Sequence, residues 1–352
     1  MKYIYKVRVL ILLLLAFKSI GQDIHFSQFY NAPFDLNPAL TGVFGGDVRF
    51  SSNYRNQWSS VPVAFQTLNI AYDQNFANKG MDRSFFAGGL IFQHDIAGIS
   101  KLTRTKIGLS GSYTKRFSPK VFVSIGSQAT FNHRTFNFSK LTFDNQYDPL
   151  LGMYDPNNGS GENFPTTNNN FFGLSAGINI RIQQRDREGL IDRLEQRNKI
   201  DFGVGLFHIN QPDQRFLEEG TPLPLDVRVN PYVLGTLMLG GDFDLLGNVS
   251  VQFQGPFHET IAGVGGKLHL SKKPGNQVSL QLGFNIRFFD ASDALFPAVQ
   301  LNYNNWKVGF SYDSTISDFN SANKGRGGPE FSIQYIIRKV PPVPEFKICP
   351  II

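Results

Sequence analysis

The stretch "VSLQLGFNIRF" (278–288) alternates without a break. Val278, Leu280, Leu282, Phe284, Ile286 and Phe288 fall on one phase, and Ser279, Gln281, Gly283, Asn285 and Arg287 on the other. Successive side chains of a strand point to opposite faces, so this is a β-strand with one apolar and one polar side. Its eleven residues match what a tilted strand needs to cross a bilayer. Globular strands average about half that length.

The same period continues from residue 46 onward. In "DVRFSSNYRN" (47–56), Val48, Phe50 and Tyr54 oppose Arg49, Ser51, Asn53 and Arg55; in "TRTKIGLSGSYTKR" (103–116), Ile107, Leu109 and Tyr113 oppose Arg104, Lys106 and Ser110. Fourteen such runs can be drawn: 46–56, 63–73, 84–94, 103–116, 120–133, 170–182, 199–210, 224–239, 246–254, 258–270, 277–289, 296–303, 306–313 and 329–338. Soft boundaries within 224–260 and at the 303/306 turn leave twelve or sixteen as neighbouring counts.

Fourteen long antiparallel strands in an open sheet would expose two edges, and closure removes both. In lipid closure is obligatory, because unpaired backbone groups there cost several kcal/mol each. The fold class expected is therefore all-β, a transmembrane barrel with apolar faces on outer-membrane lipid and a polar interior. Aromatics near run ends, among them Tyr54, Tyr72, Phe288, Tyr303, Trp306 and Tyr335, fit interfacial girdles. Glycines on the polar phase (Gly126, Gly173, Gly177, Gly203, Gly205, Gly283) suit a curved wall or an interior packed closely by something else. A large secreted β-sandwich would also alternate. Its strands would be shorter, and a charged phase through central strands does not suit it.

The chain divides without a linker. Residues 1–21 have a basic head (Lys2, Lys6, Arg8), a short apolar core "VLILLLLAF" and small residues before a cut ahead of Gln22, which reads as a signal peptide. An uncleaved anchor is the alternative, against which Lys18 and Gln22 interrupt the run. Removing 1–21 takes four of the 34 basic residues and none of the 28 acids, so 30 against 28 leaves a net +2. The basic balance thus gives no case for nucleic acid, and no base-reading motif is present. Residues 22–45 form an N-terminal periplasmic or plug segment, 46–340 the barrel, and 341–352 a Pro-rich tail broken by Pro341, Pro342 and Pro344. Cys349 is the single cysteine and has no internal partner.

With both ends in the periplasm, the long links 134–169, 211–223 and 314–328 fall outside and the turns 117–119 and 304–305 inside. The inner link 183–199 is long and charged, with Leu190, Ile191 and Leu194 at helical spacing; a short partner-facing helix and a solvated strand extension are both open.

No enzyme chemistry emerges. "GLSAG" (173–177) matches the nucleophile-elbow pattern, but Ser175 sits mid-strand with no helix behind it. Six scattered histidines make no metal spacing, and the loop 155–163, with Asp155, Asn157 and Glu162, lacks full calcium-loop spacing. No cofactor is implied. Interior bases, chiefly Arg49, Arg55, Lys106, Arg181 and Arg287, either line an anion-favouring pore or pair with acids and an inserted segment.

The segment "DIHFSQFYNAPFDLNPALTG" (23–42) lacks a helix or strand period along its length. Phe26, Phe29, Tyr30, Phe34 and Leu36 supply apolar mass, and Pro33 and Pro38 restrict the backbone. A non-helical plug folded back into the periplasmic mouth, against glycine-lined strands, is the expected form. Asn31 and Asn37 are placed to bond nearby backbone.

The run Phe26-Ser27-Gln28-Phe29-Tyr30-Asn31-Ala32-Pro33, followed by Asn37-Pro38-Ala39-Leu40-Thr41-Gly42, resembles the N-terminal signature of the PorP/SprF family, outer-membrane proteins of the type IX secretion and gliding machinery of the Bacteroidetes. The likeness extends to Arg55, Gln57 and Trp58 and, weakly, to Cys349-Pro350 as a C-terminal contact. The resemblance implies an outer-membrane barrel without enzymatic activity that helps export or hold a cargo, such as a large surface adhesin, and that contacts periplasmic secretion components. A porin-like channel for small or hydrophobic solutes is the alternative.

Overall fold

The computed structural model describes residues 23–58, 65–76, 84–150, 152–162, 166–184, 197–216, 222–273, 275–289, 292–317 and 320–338. The signal peptide, the core of the 183–199 link and the tail with Cys349 and Pro350 lie outside the described residues.

Fourteen antiparallel strands form a closed barrel. They are β1 Val48–Gln57, β2 Phe65–Asn75, β3 Phe85–Ala97, β4 Leu102–Arg116, β5 Val121–Thr135, β6 Asn168–Gln183 and β7 Lys199–Phe207. The second half comprises β8 Arg228–Met238, β9 Phe243–Gln254, β10 Phe257–Lys273, β11 Asn276–Phe288, β12 Ser292–Tyr303, β13 Trp306–Thr315 and β14 Arg326–Ile337. Each expected run corresponds to one strand. Boundaries move where alternation is a poor guide. The eighth starts at Arg228 rather than 224, and the twelfth gains Ser292–Leu295 ahead of Phe296. Closure joins β1 to β14 in register from Val48↔Ile337 to Arg55↔Glu330. Every strand thus has a hydrogen-bonded neighbour on both sides, and the wall has no free edge.

The apolar phase faces outward. On β11, Leu282 and Phe284 are 55% and 73% exposed, whereas Arg287 is 1% exposed on the inner face. An aromatic row crosses five strands at one level through the pairs Tyr72↔Phe50, Phe50↔Tyr335, Tyr335↔Trp306 and Trp306↔Tyr303. Trp306 and Tyr335 stack with centroids 4.5 Å apart. Amphipathic rings at one height are the pattern of a membrane–water boundary.

The two mouths differ. β1 begins and β14 ends at the same mouth, which also carries the short connections β4–β5, β8–β9, β10–β11 and β12–β13. The opposite mouth carries the long β5–β6 and β7–β8 links, which pack on one another. Phe136 meets Phe216 edge-on at 4.9 Å, and Arg134 donates to Gln214 Oε1 at 2.8 Å. The β5–β6 link contains a two-residue hairpin, Tyr147–Asp148 with Met153–Tyr154, that periodicity did not reveal.

Leu282→Arg, on the lipid face, is expected to lower the unfolding free energy in lipid vesicles by about 2–4 kcal/mol. Gln281→Arg, one residue away on the inner face, should cost far less in the same urea titration.

Candidate functional site: a lumen threaded by the N-terminal segment

Residues 23–43 run through the inside of the barrel. Asp23, in the long-loop half, donates its backbone N–H to Gln254 Oε1 (2.9 Å). Val43, near the chain-end mouth, accepts from Arg181 Nη2 (3.5 Å). The segment therefore reaches well beyond the chain-end mouth to which a fold-back would confine it. It is also not free of helix: single turns occur at Phe29–Asn31, Pro33–Leu36 and Pro38–Leu40. Pro33 and Pro38 each open a turn, a position that needs no N–H and favours the fixed φ of proline. Asn37 caps the third turn, its side chain accepting from Ala39 N at 2.8 Å.

The upper grip is ionic. Glu330 accepts from the backbone N–H groups of Ser27 (2.7 Å) and Gln28 (2.9 Å). Asp313 accepts from the Ser27 hydroxyl at 2.7 Å and pairs with both Arg55 and Arg287 at 2.8 Å. All of these groups are buried. Charge-assisted bonds in such a setting are the strong kind, and leaving one member unpaired is costly. Nearby, Asp23 pairs with Arg104 (2.6 Å) and lies 2.6 Å from His208 Nε2. Burial alone would raise the Asp23 carboxyl, but His208, Arg104 and Arg228 hold it well below the usual carboxylate range.

Lower down, the wall makes room. A Cβ added at Gly126 would lie 2.5 Å from the Pro38 carbonyl oxygen, at Gly205 2.6 Å from that of Leu36, and at Gly89 2.6 Å from the Phe34 ring. At Gly177 and Gly309 it would run into Asn37 and Gln28. Five strands thus use glycine where the segment touches them. Gly173 and Gly203 instead face atoms of the wall itself, and Gly283 has no such close contact with the segment. Phe29, Leu36, Leu40 and Val43 pack on Tyr232, Ile261 and Phe296. Each large apolar side chain so buried is worth about 1.5–3 kcal/mol.

The residues singled out in the segment all lie inside the barrel. Phe26, Ser27, Gln28, Phe29, Asn31, Pro33, Asn37, Pro38 and Ala39 are buried, and Gly42 takes φ +72°, where its N–H meets Asp73 at 2.7 Å. Asn31 bonds side chains of the wall, Gln300 at 3.1 Å and Ser332 at 2.9 Å. All five interior bases reach the segment. Arg49 donates to Leu40 O (3.3 Å), Arg55 to His25 O (2.5 Å), Arg181 to Val43 O, Lys106 to Asp35 (2.7 Å) and Arg287 to Ser27 Oγ (2.6 Å). Sequence reasoning missed Glu330, Asp313 and Arg228 as partners; their one signal was a charge on the inward phase. Ser175 sits mid-strand opposite Gln128, and the Asp155 carboxylate is engaged by Asn157 at 2.9 Å. No group of three or more metal-ligating side chains occurs among the described residues.

Residues 18–335 match the family "Type IX secretion system membrane protein PorP/SprF". The chain belongs to the PorP/SprF family. Its members are structural or transport proteins rather than catalysts, and they reside in the outer membrane. No curated protein matches. Similar solved structures include the TodX ΔS2S3 mutant monoaromatic hydrocarbon channel (8% identity, 87% of this chain and 94% of that one, TM-score 0.48). Others are a FadL homologue of Pseudomonas aeruginosa (11%, 85% and 91%, 0.47) and BamA of Haemophilus ducreyi (9%, 82% and 69%, 0.40). At these scores the likenesses carry no functional argument. The family match spans both the PorP/SprF N-terminal segment and the barrel that encloses it.

Asp313→Ala strands two buried arginines and should destabilise the protein by about 3–5 kcal/mol in urea unfolding. Gly126→Leu should unseat the segment and raise single-channel conductance in planar bilayers. Gly247→Ala, where an added Cβ meets nothing within 4 Å, should leave conductance unchanged.

Proposed function

We propose that this PorP/SprF protein serves type IX secretion as a plugged outer-membrane anchor, holding a large exported cargo such as a surface adhesin and contacting periplasmic secretion components. The observation that carries this reading is the filled lumen. Between Asp23 and Val43 the segment bonds wall groups on strands all around the barrel, and a pocket beside its upper part holds only about 20 Å³. A solute path would require that whole network to part. The chain-end mouth, with the short turns, faces the periplasm, and the packed long loops face outward to cargo. Binding at the two rims, with the barrel fixed in lipid between them, is the mechanism: the protein positions its partners.

A porin-like channel remains the second reading, supported by the open cavity in the chain-end half. Gentle affinity purification from native outer membrane, with mass-spectrometric identification, separates the two. Recovery with a large exported polypeptide or a periplasmic secretion component is expected. Recovery of the barrel alone, together with steady single-channel currents, would favour the channel.

A further inference from the structure

Beneath the segment, the chain-end half of the lumen holds a cavity of about 460 Å³. Seven of its lining residues are lysine or arginine and two are aspartate. The arginines are engaged. Arg49 pairs with Asp73 (2.6 Å), Arg181 with Asp201 (2.8 Å) and Arg197 with Asp244 (3.1 Å), and Arg338 donates to Gly45 O at 3.1 Å. Lys199, Lys267 and Lys307 have no ion pair or hydrogen bond among the described residues. Three lysines without an ion-pair partner, in a recess where basic side chains outnumber acidic ones, attract anions.

Their spacing bears on which anion. Lys199 lies on β7, Lys267 on β10 and Lys307 on β13, three strands apart each time. Neighbouring strands are about 4.8 Å apart, so roughly 14 Å of wall separates successive lysines. Lysines spread in this way around the wall suit several carboxylates spaced along a chain. Same-face side chains of an extended peptide recur about every 6.7 Å, so every fourth residue matches the spacing. Between the lysines run side-chain amides. Gln281 and Gln300 follow Lys267 in register, and Asn302 stands beside Lys307. Amides of this kind can give and accept the bonds a peptide backbone needs. Leu40, Val43, Phe44 and Ile336 add an apolar floor that inorganic phosphate would not use.

We propose that this vestibule binds an extended acidic peptide segment of a partner polypeptide, its carboxylates meeting Lys199, Lys267 and Lys307. The inference takes from the proposed function only the side of the membrane that the mouth faces, and it requires no particular cargo. Lysines suit the task because they are mobile point charges that accept a range of carboxylate positions.

The test uses the full-length mature protein in nanodiscs of zwitterionic lipid and a fluorescein-labelled decaglutamate peptide, long enough for every fourth carboxylate to reach all three lysines, followed by anisotropy. Saturable binding is expected, weakening about tenfold or more in the Lys199→Gln/Lys267→Gln/Lys307→Gln variant and fading with added salt. An unchanged heat-modifiable gel shift confirms that the variant is folded. Should the triple variant fail to insert, Lys267→Gln and Lys307→Gln alone should each weaken binding severalfold, and Lys307→Arg should restore it. Absence of saturable binding, or binding indifferent to the lysines, overturns the proposal. Full competition by inorganic phosphate, or displacement when anionic lipid replaces zwitterionic, also overturns it, in favour of a small-anion or a lipid-headgroup site. None of these results bears on the co-purification outcome, so the two readings fail separately.

Discussion

A polypeptide threaded through a closed barrel is cut off from bulk water, so each polar group it carries must find a partner on the wall. That constraint explains the lumen of this protein. Ser27 and Gln28 offer backbone N–H groups that Glu330 accepts, and the Ser27 hydroxyl is taken by Asp313. The carboxylates would be costly to bury alone, and Arg55 and Arg287 balance them. Wall and segment therefore stabilise one another: remove the segment, and Glu330 loses the Ser27 and Gln28 N–H groups while Asp313 and Arg287 lose the Ser27 hydroxyl. The same logic accounts for the glycines at 126, 177 and 205, since a wall that close to a foreign backbone has no space for side chains.

The lumen then divides in two. Its long-loop half is packed and ionically satisfied, as a structural core would be. Its chain-end half is open and carries excess positive charge, as a recognition surface would be. In the PorP/SprF setting this asymmetry fits the plugged anchor proposed above. The aromatic row at Tyr72, Phe50, Tyr335, Trp306 and Tyr303 marks a membrane boundary at the chain-end mouth.

Much of the wall was legible in the sequence because a period of two is a local signal. Fourteen runs became fourteen strands, and the inward phase of each could be named, down to Arg49, Arg55 and Arg287. Strand ends were less legible: the extra residues of β9 and β12 are held by neighbours in register rather than by their own alternation. The segment itself was visible as apolar, proline-bearing and particular, yet its path was not. Its contacts pair Ser27 with Glu330 and Asp23 with His208, 303 and 185 residues apart in the chain, and no local pattern encodes such a match. Nor did Pro33 and Pro38 announce helical turns, because proline disfavours a helix interior but suits its first position. Glycine on the inward phase signalled a close approach without saying to what.

Seated in the lumen, the segment lies against β4. Thr41 Oγ1 and Ser110 Oγ lie 2.7 Å apart, one on the segment and the other on β4. Thr41→Cys/Ser110→Cys, with Cys349→Ala removing the native thiol, places two sulfurs within bonding reach. Mild oxidation of intact outer-membrane vesicles should close that disulfide nearly completely, whereas Thr41→Cys paired with Ser279→Cys on β11 should stay reduced. Free reaction of the thiol introduced at position 41 with a bulky aqueous maleimide, and no disulfide to the thiol at position 110, would contradict a segment held inside the barrel.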